Sequence, residues 1–454
     1  MFKEKFKREL LATLRLSIPI IIAQLGVVLM GVTDNIMVGR FLGKVPLGAA
    51  GIANTIAFLI ASFSVGGMSV IAPMVSKCVA ESEEKGIKYL FSSTLWVAFI
   101  YSVFLSLVGF LVYHRFDLFQ QPDIINKVSP PFLLIILASN IPLFYFLALK
   151  QFADGLFKPE LAMYITAMGL VLNLIGNYVL ITGAGIITPI GILGSAYATC
   201  ITRVLMAIAL FLFLRYNANF KVYFRRVSLL FNKKLIWEIL QRSIPGGAQV
   251  FFEIAAFSFA VIMMGWISET ALAAHQIAIS IASTTYMMAT GFSFAGGIRV
   301  GEAWGLRAPR GIRIAGFAAY FWVFAFMLSS MILILIFDKI LLSAYINDAD
   351  VIQQALPLLS IAAIFQLSDG IQVVGLGVLR GLADIKIPTL ITFLAYWVVA
   401  LPLGYFLGFH FKLGSIGIWL GLLVGLTISA VLLYIRFTNL ISLKNLKKRF
   451  VLVE

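Results

Sequence analysis

The sequence predicts an all-α membrane protein of twelve transmembrane helices, arranged as two six-helix bundles related by a parallel internal repeat. Three observations predict it. Of the 454 residues, 61% are hydrophobic and 12% charged, with mean hydropathy +1.00. Soluble domains are roughly half apolar and a quarter charged, and a soluble surface this apolar would aggregate. The apolar residues come in runs of about 20, the length of helix that crosses a bilayer, whereas barrel strands need only about 10 residues in alternation. Finally, short motifs of the first half recur in the second.

In chain order the predicted spans are 15–38, 50–76, 89–113, 128–150, 160–182, 190–214, 243–267, 271–297, 314–337, 351–377, 388–409 and 416–437. The first follows a charged start (Lys3, Glu4, Lys5, Lys7, Arg8) and no A-x-A-like site, so it reads as an uncleaved helix rather than a signal peptide. An even number of spans puts both termini on one side. With that side cytoplasmic, the inner segments hold 28 Lys or Arg. The outer loops hold 6, at Arg40, Lys44, Arg115, Lys127, Lys339 and Lys412, and Arg203 lies within a span. The asymmetry predicts a multi-pass protein of the cell inner membrane with both termini cytoplasmic. It also assigns the net charge of +15 to topology and anionic lipid headgroups, not to nucleic acid.

The most basic loop, with Lys221, Arg225, Arg226, Lys233 and Lys234, falls mid-chain. It predicts a first bundle at 1–218, a cytoplasmic linker at 219–242 and a second bundle at 243–454. Ser17-Ile18-Pro19 is answered by Ser243-Ile244-Pro245, Leu47-Gly48-Ala49-Ala50 by Leu272-Ala273-Ala274-His275, and Gly191 and Gly194 by Gly414 and Gly417. Ala153-Asp154 before Pro159 is answered by Ala383-Asp384 before Pro388. Six spans per half make the repeats parallel, and two bundles with a central cleft suit alternating access.

Ionisable groups inside lipid cost at least about 2.5 kcal/mol at a helix centre, so each requires a reason. Asp34, Glu253 and Asp369 stand inside predicted spans. Asp34 either faces the bundle interior or pairs with Arg40 near the headgroups. Gln249 lies one turn before Glu253 on the same face. A structural partner for Glu253 would be Arg203, the other charge buried comparably. Gln366 and Gln372 flank Asp369 by one turn each way, making a polar stripe that either joins helices or serves a hard cation or proton. Asn173 and Asn177 share a face of the fifth span, and Thr199 in the sixth completes an oxygen-rich set with Asp34.

The chain carries no H-E-x-x-H, P-loop or G-x-S-x-G motif, so neither an enzyme nor an ATP-driven pump is expected from it alone. Cys78 and Cys200 imply neither a disulfide framework nor a metal site. The scattered His114, His275 and His410 make no cluster, and His275 reads as a packing residue.

At these residues the sequence resembles the multidrug and toxic compound extrusion (MATE) family. The carrying stretches are Pro19 to Gly39 with Met30-Gly31-Val32-Thr33-Asp34, Leu47-Gly48-Ala49-Ala50-Gly51, Phe251-Phe252-Glu253, Ala273-Ala274-His275-Gln276-Ile277-Ala278, and Asp369-Gly370-Ile371-Gln372 on to Leu379-Arg380-Gly381. The resemblance covers essentially the whole chain and implies a V-shaped transporter that exports organic cations in exchange for sodium or protons. It implies cation coupling by Asp34 with Asn173 and Asn177 in the first half, and by Glu253 and Asp369 in the second, where a bound Na⁺ is expected. Substrate contact is expected from Asp34, Gln276, Gln249 and Gln372, and from Asp348, near where some members carry an acidic pair. Asn347-Asp348-Ala349-Asp350 departs from that pair. Asn177, where proton-only members often carry Asp, points to the NorM-type branch. No cofactor and no nucleic acid is expected, and a monomer is.

Two rivals remain on sequence grounds. A flippase for a lipid-linked precursor would need a cationic cavity, but the membrane-buried charges are acidic three to one. A membrane-embedded transferase would need a convergent catalytic cluster, and none is present.

Overall fold

The structure, a computed structural model, describes residues 2–119, 123–183, 188–217, 231–346, 348–442 and 444–446. Lys221, Arg225 and Arg226 of the mid-chain loop, and the first half of the expected linker (219–230), lie outside the described residues. All twelve expected spans are present as helices long and apolar enough to cross a membrane.

The helices are α1 (Phe2–Leu42), α2 (Lys44–Met68), α3 (Ile71–Ala80), α4 (Glu84–His114), α5 (Asp123–Gly155), α6 (Pro159–Thr182) and α7 (Ile192–Tyr216). Then follow α8 (Lys233–Ile267), α9 (Glu269–Gly305), α10 (Pro309–Ile336), the short α11 (Asp338–Tyr345), α12 (Ala349–Gly381), α13 (Lys386–His410) and α14 (Gly414–Leu440). α2 and α3 together make one span. Each helix closes its own backbone hydrogen bonds, which is what the hydrocarbon core demands. Many hydroxyls inside the spans turn back on their own helix: Ser102 donates to the Ala98 carbonyl at 2.8 Å and Thr166 to that of Ala162 at 2.7 Å. Pro159 and Pro309 open α6 and α10, where no helical N–H is lost.

The chain forms two compact units, one of residues 22–247 and one of residues 1–21 with 248–454. The boundaries fall inside α1 and α8, just after the repeated Ser-Ile-Pro motifs. The expected division kept α1 whole in the first bundle; its first 21 residues instead pack with the second unit. There Arg299 donates two hydrogen bonds of 2.6 Å to Glu9, and the Trp322 indole donates to the Leu10 carbonyl at 2.9 Å. The start of α8 belongs to the first unit: Tyr101 donates to Ser243 at 2.9 Å, and Gly247 lies so close to Phe63 that a Cβ would meet its carbonyl at 2.5 Å.

The repeated glycines have a physical reason. Gly191, just before α7, and Gly414, the first residue of α14, have positive φ, +62° and +58°, where a side chain is strained. Three residues on, a Cβ at Gly194 would sit 2.6 Å from the Leu180 carbonyl, and one at Gly417 2.5 Å from the Gly408 nitrogen. The pair therefore makes a turn and then a close helix contact, once in each unit. Gly417→Val should destabilise the protein by about 1–3 kcal/mol through overpacking, read as a fall in the thermal midpoint. Gly51→Ala, which adds a Cβ in open space, should not lower it.

Candidate functional site

In the first unit, α1 presents Asp34 to α6 and α7, and the side chain is buried. Asn173 and Asn177, one turn apart on α6, donate to its Oδ1 at 3.0 and 2.7 Å. The Thr199 hydroxyl on α7 donates to its Oδ2 at 2.6 Å. Three donors on a buried carboxylate offset its desolvation, because hydrogen bonds to a charged acceptor are the strong ones. The geometry selects the interior reading of Asp34 over the pairing with Arg40.

Turning both amide nitrogens toward Asp34 leaves the carbonyl oxygens of Asn173 and Asn177 buried without a protein partner. A carboxylate beside amide oxygens is a donor set that fits a hard cation or a proton. Arg203, one turn beyond Thr199, donates to Ser139 at 2.6 Å and to the Asn140 carbonyl oxygen at 2.9 Å. It is also within Coulomb range of Asp34. It therefore belongs to the first unit's polar network and is not the partner that the sequence offered for Glu253.

In the second unit, Glu253 on α8 and Asp369 on α12 are both buried and within Coulomb range of each other. Gln372, one turn from Asp369, reaches Glu253 Oε1 at 3.5 Å and donates to the Tyr396 hydroxyl at 3.0 Å. The Tyr286 hydroxyl on α9 lies beside Glu253. Gln249 accepts from Arg380 Nη2 at 3.2 Å, and Arg380 is within Coulomb range of Glu253. The Gln372 carbonyl oxygen and both polar atoms of Gln366 are buried with no protein partner. Phe257 lines the cluster, with its ring 6.0 Å from that of Phe365 and 5.7 Å from that of Tyr396. Two carboxylates with amide and phenol oxygens fit a monovalent cation, with an aromatic surface beside it.

Sequence reasoning missed Tyr286, Tyr396 and the role of Arg380. Tyr396 lies in a wide π-turn of α13, Leu394–Ala400, which shifts side chains out of simple helical register. The Trp397 indole in the same turn donates to the Phe252 carbonyl at 3.1 Å, tying α13 to α8. Tyr286 was visible only as a phenol deep inside a span. Arg380 fell just past the predicted end of its span.

Two expected residues stand apart. Gln276 is exposed on α9 and makes none of the hydrogen bonds described for the Glu253 cluster. Asp348 is exposed and caps α12, accepting from the amides of Asp350 at 3.0 Å and Val351 at 3.1 Å. His275 is buried against the Trp419 ring at 5.6 Å.

The MatE family model matches this chain twice, over residues 19–179 and 245–406, once in each half of the repeat. Probable multidrug resistance protein NorM of Brucella suis biovar 1 (strain 1330) is 32% identical over 452 residues, spanning 95% of this chain and 93% of that protein. The protein of the same name from Bacillus anthracis is 31% identical, spanning 96% and 95%. Among solved structures, the eukaryotic MATE transporter AtDTX14 superposes with a TM-score of 0.88 at 19% identity, covering 98% of this chain and 97% of that one. An outward-facing multidrug resistance MATE transporter gives 0.86 at 18% identity, covering 97% of each. With both halves matched, and relatives above 30% identity along nearly the whole length, the chain belongs to the MatE family of membrane transporters.

Proposed function

We propose that this protein is a cation-coupled antiporter that exports organic cationic compounds across the cell membrane by alternating access. The observation that carries this reading is the presence, in each unit, of a buried carboxylate site lined by neutral oxygens. Asp34 has Asn173, Asn177 and Thr199; Glu253 and Asp369 have Gln372, Tyr286 and Tyr396. A lipid-buried carboxylate strongly favours a bound cation, and one carboxylate does not hold a drug cation and a coupling ion at once. Exchange follows from that competition. The names of the relatives, multidrug resistance proteins, support the substrate class.

The coupling ion, sodium or a proton, is a transported substrate rather than a resident cofactor. Asp34, with Asn173 and Asn177, serves the first unit, and Glu253 with Asp369 the second. Gln249 and Gln372 border the second site, and Gln276 and Asp348 contact substrate only if they meet it outside the two clusters. We propose the inner membrane as the location, lipids as the surrounding partner and a monomer as the working form.

Purified protein in proteoliposomes, with sodium and pH gradients imposed separately, tests the function. Ethidium or tetraphenylphosphonium should move against its gradient under at least one of them. Transport indifferent to both gradients would end the antiport reading. The distribution of basic residues supports a topology with both termini and Lys233 in the cytoplasm. In a Cys-free background, a Cys at Lys44 should be labelled from outside and one at Lys233 should not. The reverse pattern would invert the topology.

A further inference from the structure

The two units treat one repeated basic position differently. In the first, Lys150 near the end of α5 pairs with Asp154 one turn on, at 2.9 Å, and both side chains are buried. The repeat sets Ala153-Asp154 against Ala383-Asp384, so Lys150 and Asp154 answer Arg380 and Asp384. The same i, i+4 pair should form there. It does not, because Arg436 on α14 takes Asp384, with Nε at 2.9 Å and Nη2 at 3.4 Å. In the register set by Gly191 and Gly414, the first half carries Phe213 where the second carries Arg436. An apolar residue there leaves Asp154 to Lys150. Released from its own acid, Arg380 instead reaches Gln249 and the neighbourhood of Glu253.

We propose that Arg380 is a tethered counter-cation of the second-unit acid site: its guanidinium, held by Gln249 and freed by the Arg436–Asp384 pair, competes with mobile cations for Glu253. The inference rests on the reading of Glu253 and Asp369 as a cation site. Its physical basis is charge balance. Two carboxylates and one fixed guanidinium leave room for one monovalent cation, whereas two carboxylates alone would hold a second or bind the first more tightly. Arg380 thereby sets the affinity and the number of exchangeable cations. It is a specificity residue that need not touch the substrate.

Equilibrium binding of tetraphenylphosphonium and of ²²Na⁺ to purified, detergent-solubilised protein tests this. Arg380→Gln should bind both about tenfold or more tightly, because a unit positive charge has left the site. Arg380→Lys, which keeps the charge, should stay within about threefold of wild type. Arg436→Leu should reproduce the gain of Arg380→Gln, since Asp384 then recaptures Arg380. Adding Asp384→Asn to Arg436→Leu should restore wild-type affinity. A purely structural role would weaken binding in all of these, or leave it unchanged.

Folding is checked by gel filtration and thermal midpoint. If Arg380→Gln does not fold, Arg436→Leu and its double variant decide. Absence of any gain in the folded variants, whether or not wild type binds measurably, overturns the proposal. Gradient-driven transport is read separately. A tighter Arg380→Gln beside a wild type that ignores both gradients would keep Arg380's role and remove the coupling.

Discussion

Asp34→Asn is expected to reduce export to background, a loss of at least about 100-fold, while leaving the protein inserted and folded. Two opposing terms decide the second half of that expectation. The variant gives up charge-assisted hydrogen bonds from Asn173, Asn177 and Thr199, each worth roughly 1.5–3 kcal/mol. It also removes a buried charge that costs at least about 2.5 kcal/mol in the membrane. The Thr199 hydroxyl and the two amides can rotate to meet the new side chain, so part of the lost bonding returns. Net stability should therefore change by no more than a few kcal/mol. On the proposed reading export has no such compensation, because the first unit then offers no carboxylate for which ion and drug could compete. Dye efflux from cells, alongside expression level and thermal midpoint, checks both halves. A well-folded Asp34→Asn protein that exports dye normally would strip Asp34 of its role and leave only a helix-joining network.

Glu253→Gln and Asp369→Asn should each abolish sodium binding, measured with ²²Na⁺ or by sodium-dependent tryptophan fluorescence on purified protein. The two acids are buried in one unit on different helices, and on the proposed reading a cation between them would relieve their mutual repulsion. Removing either charge removes the relief as well as a ligand. Gln249 is engaged by Arg380, so the neutral oxygens available to a cation are the unpartnered carbonyls of Gln366 and Gln372 and the nearby phenols. To move a two-state equilibrium from 1:99 to 99:1, the ion must favour one arrangement by about 5.5 kcal/mol. A charged ligand in a low-dielectric pocket can supply this. A single variant that binds sodium as wild type does would exclude that residue as a ligand. A wild type without a sodium response that still exports dye on a pH gradient alone would make the coupling ion a proton.

Asp34, Asn173, Asn177 and Thr199 were identifiable as one set before the fold was known, because each is polar inside an apolar run, where polarity has a cost. The asparagines were placed on one face by simple i, i+4 spacing. Glu253 and Asp369 stood out for the same reason. Their actual company did not: Tyr286 and Arg380 come from elsewhere on α9 and α12, and Tyr396 arrives through a π-turn that no helical wheel places. Asp348 was offered only by the resemblance, near where some members carry an acidic pair; at the start of a helix its side chain accepts from free backbone amides, which spacing along the chain did not indicate.

The sequence alone determined where the chain crosses the membrane, how many times, and that its halves repeat. Hydrophobic transfer acts on each 20-residue run by itself, and backbone hydrogen bonds close within each helix, so those features are local and additive along the chain. Only the tertiary structure decided that the first 21 residues join the second unit, which carbonyls remain free around Asp34, and that Arg436 takes Asp384 from Arg380. Those outcomes depend on which charged and polar groups meet across helices. On the proposal made for Arg380, a single difference in register, Phe213 in one half and Arg436 in the other, redirects a cation one turn away.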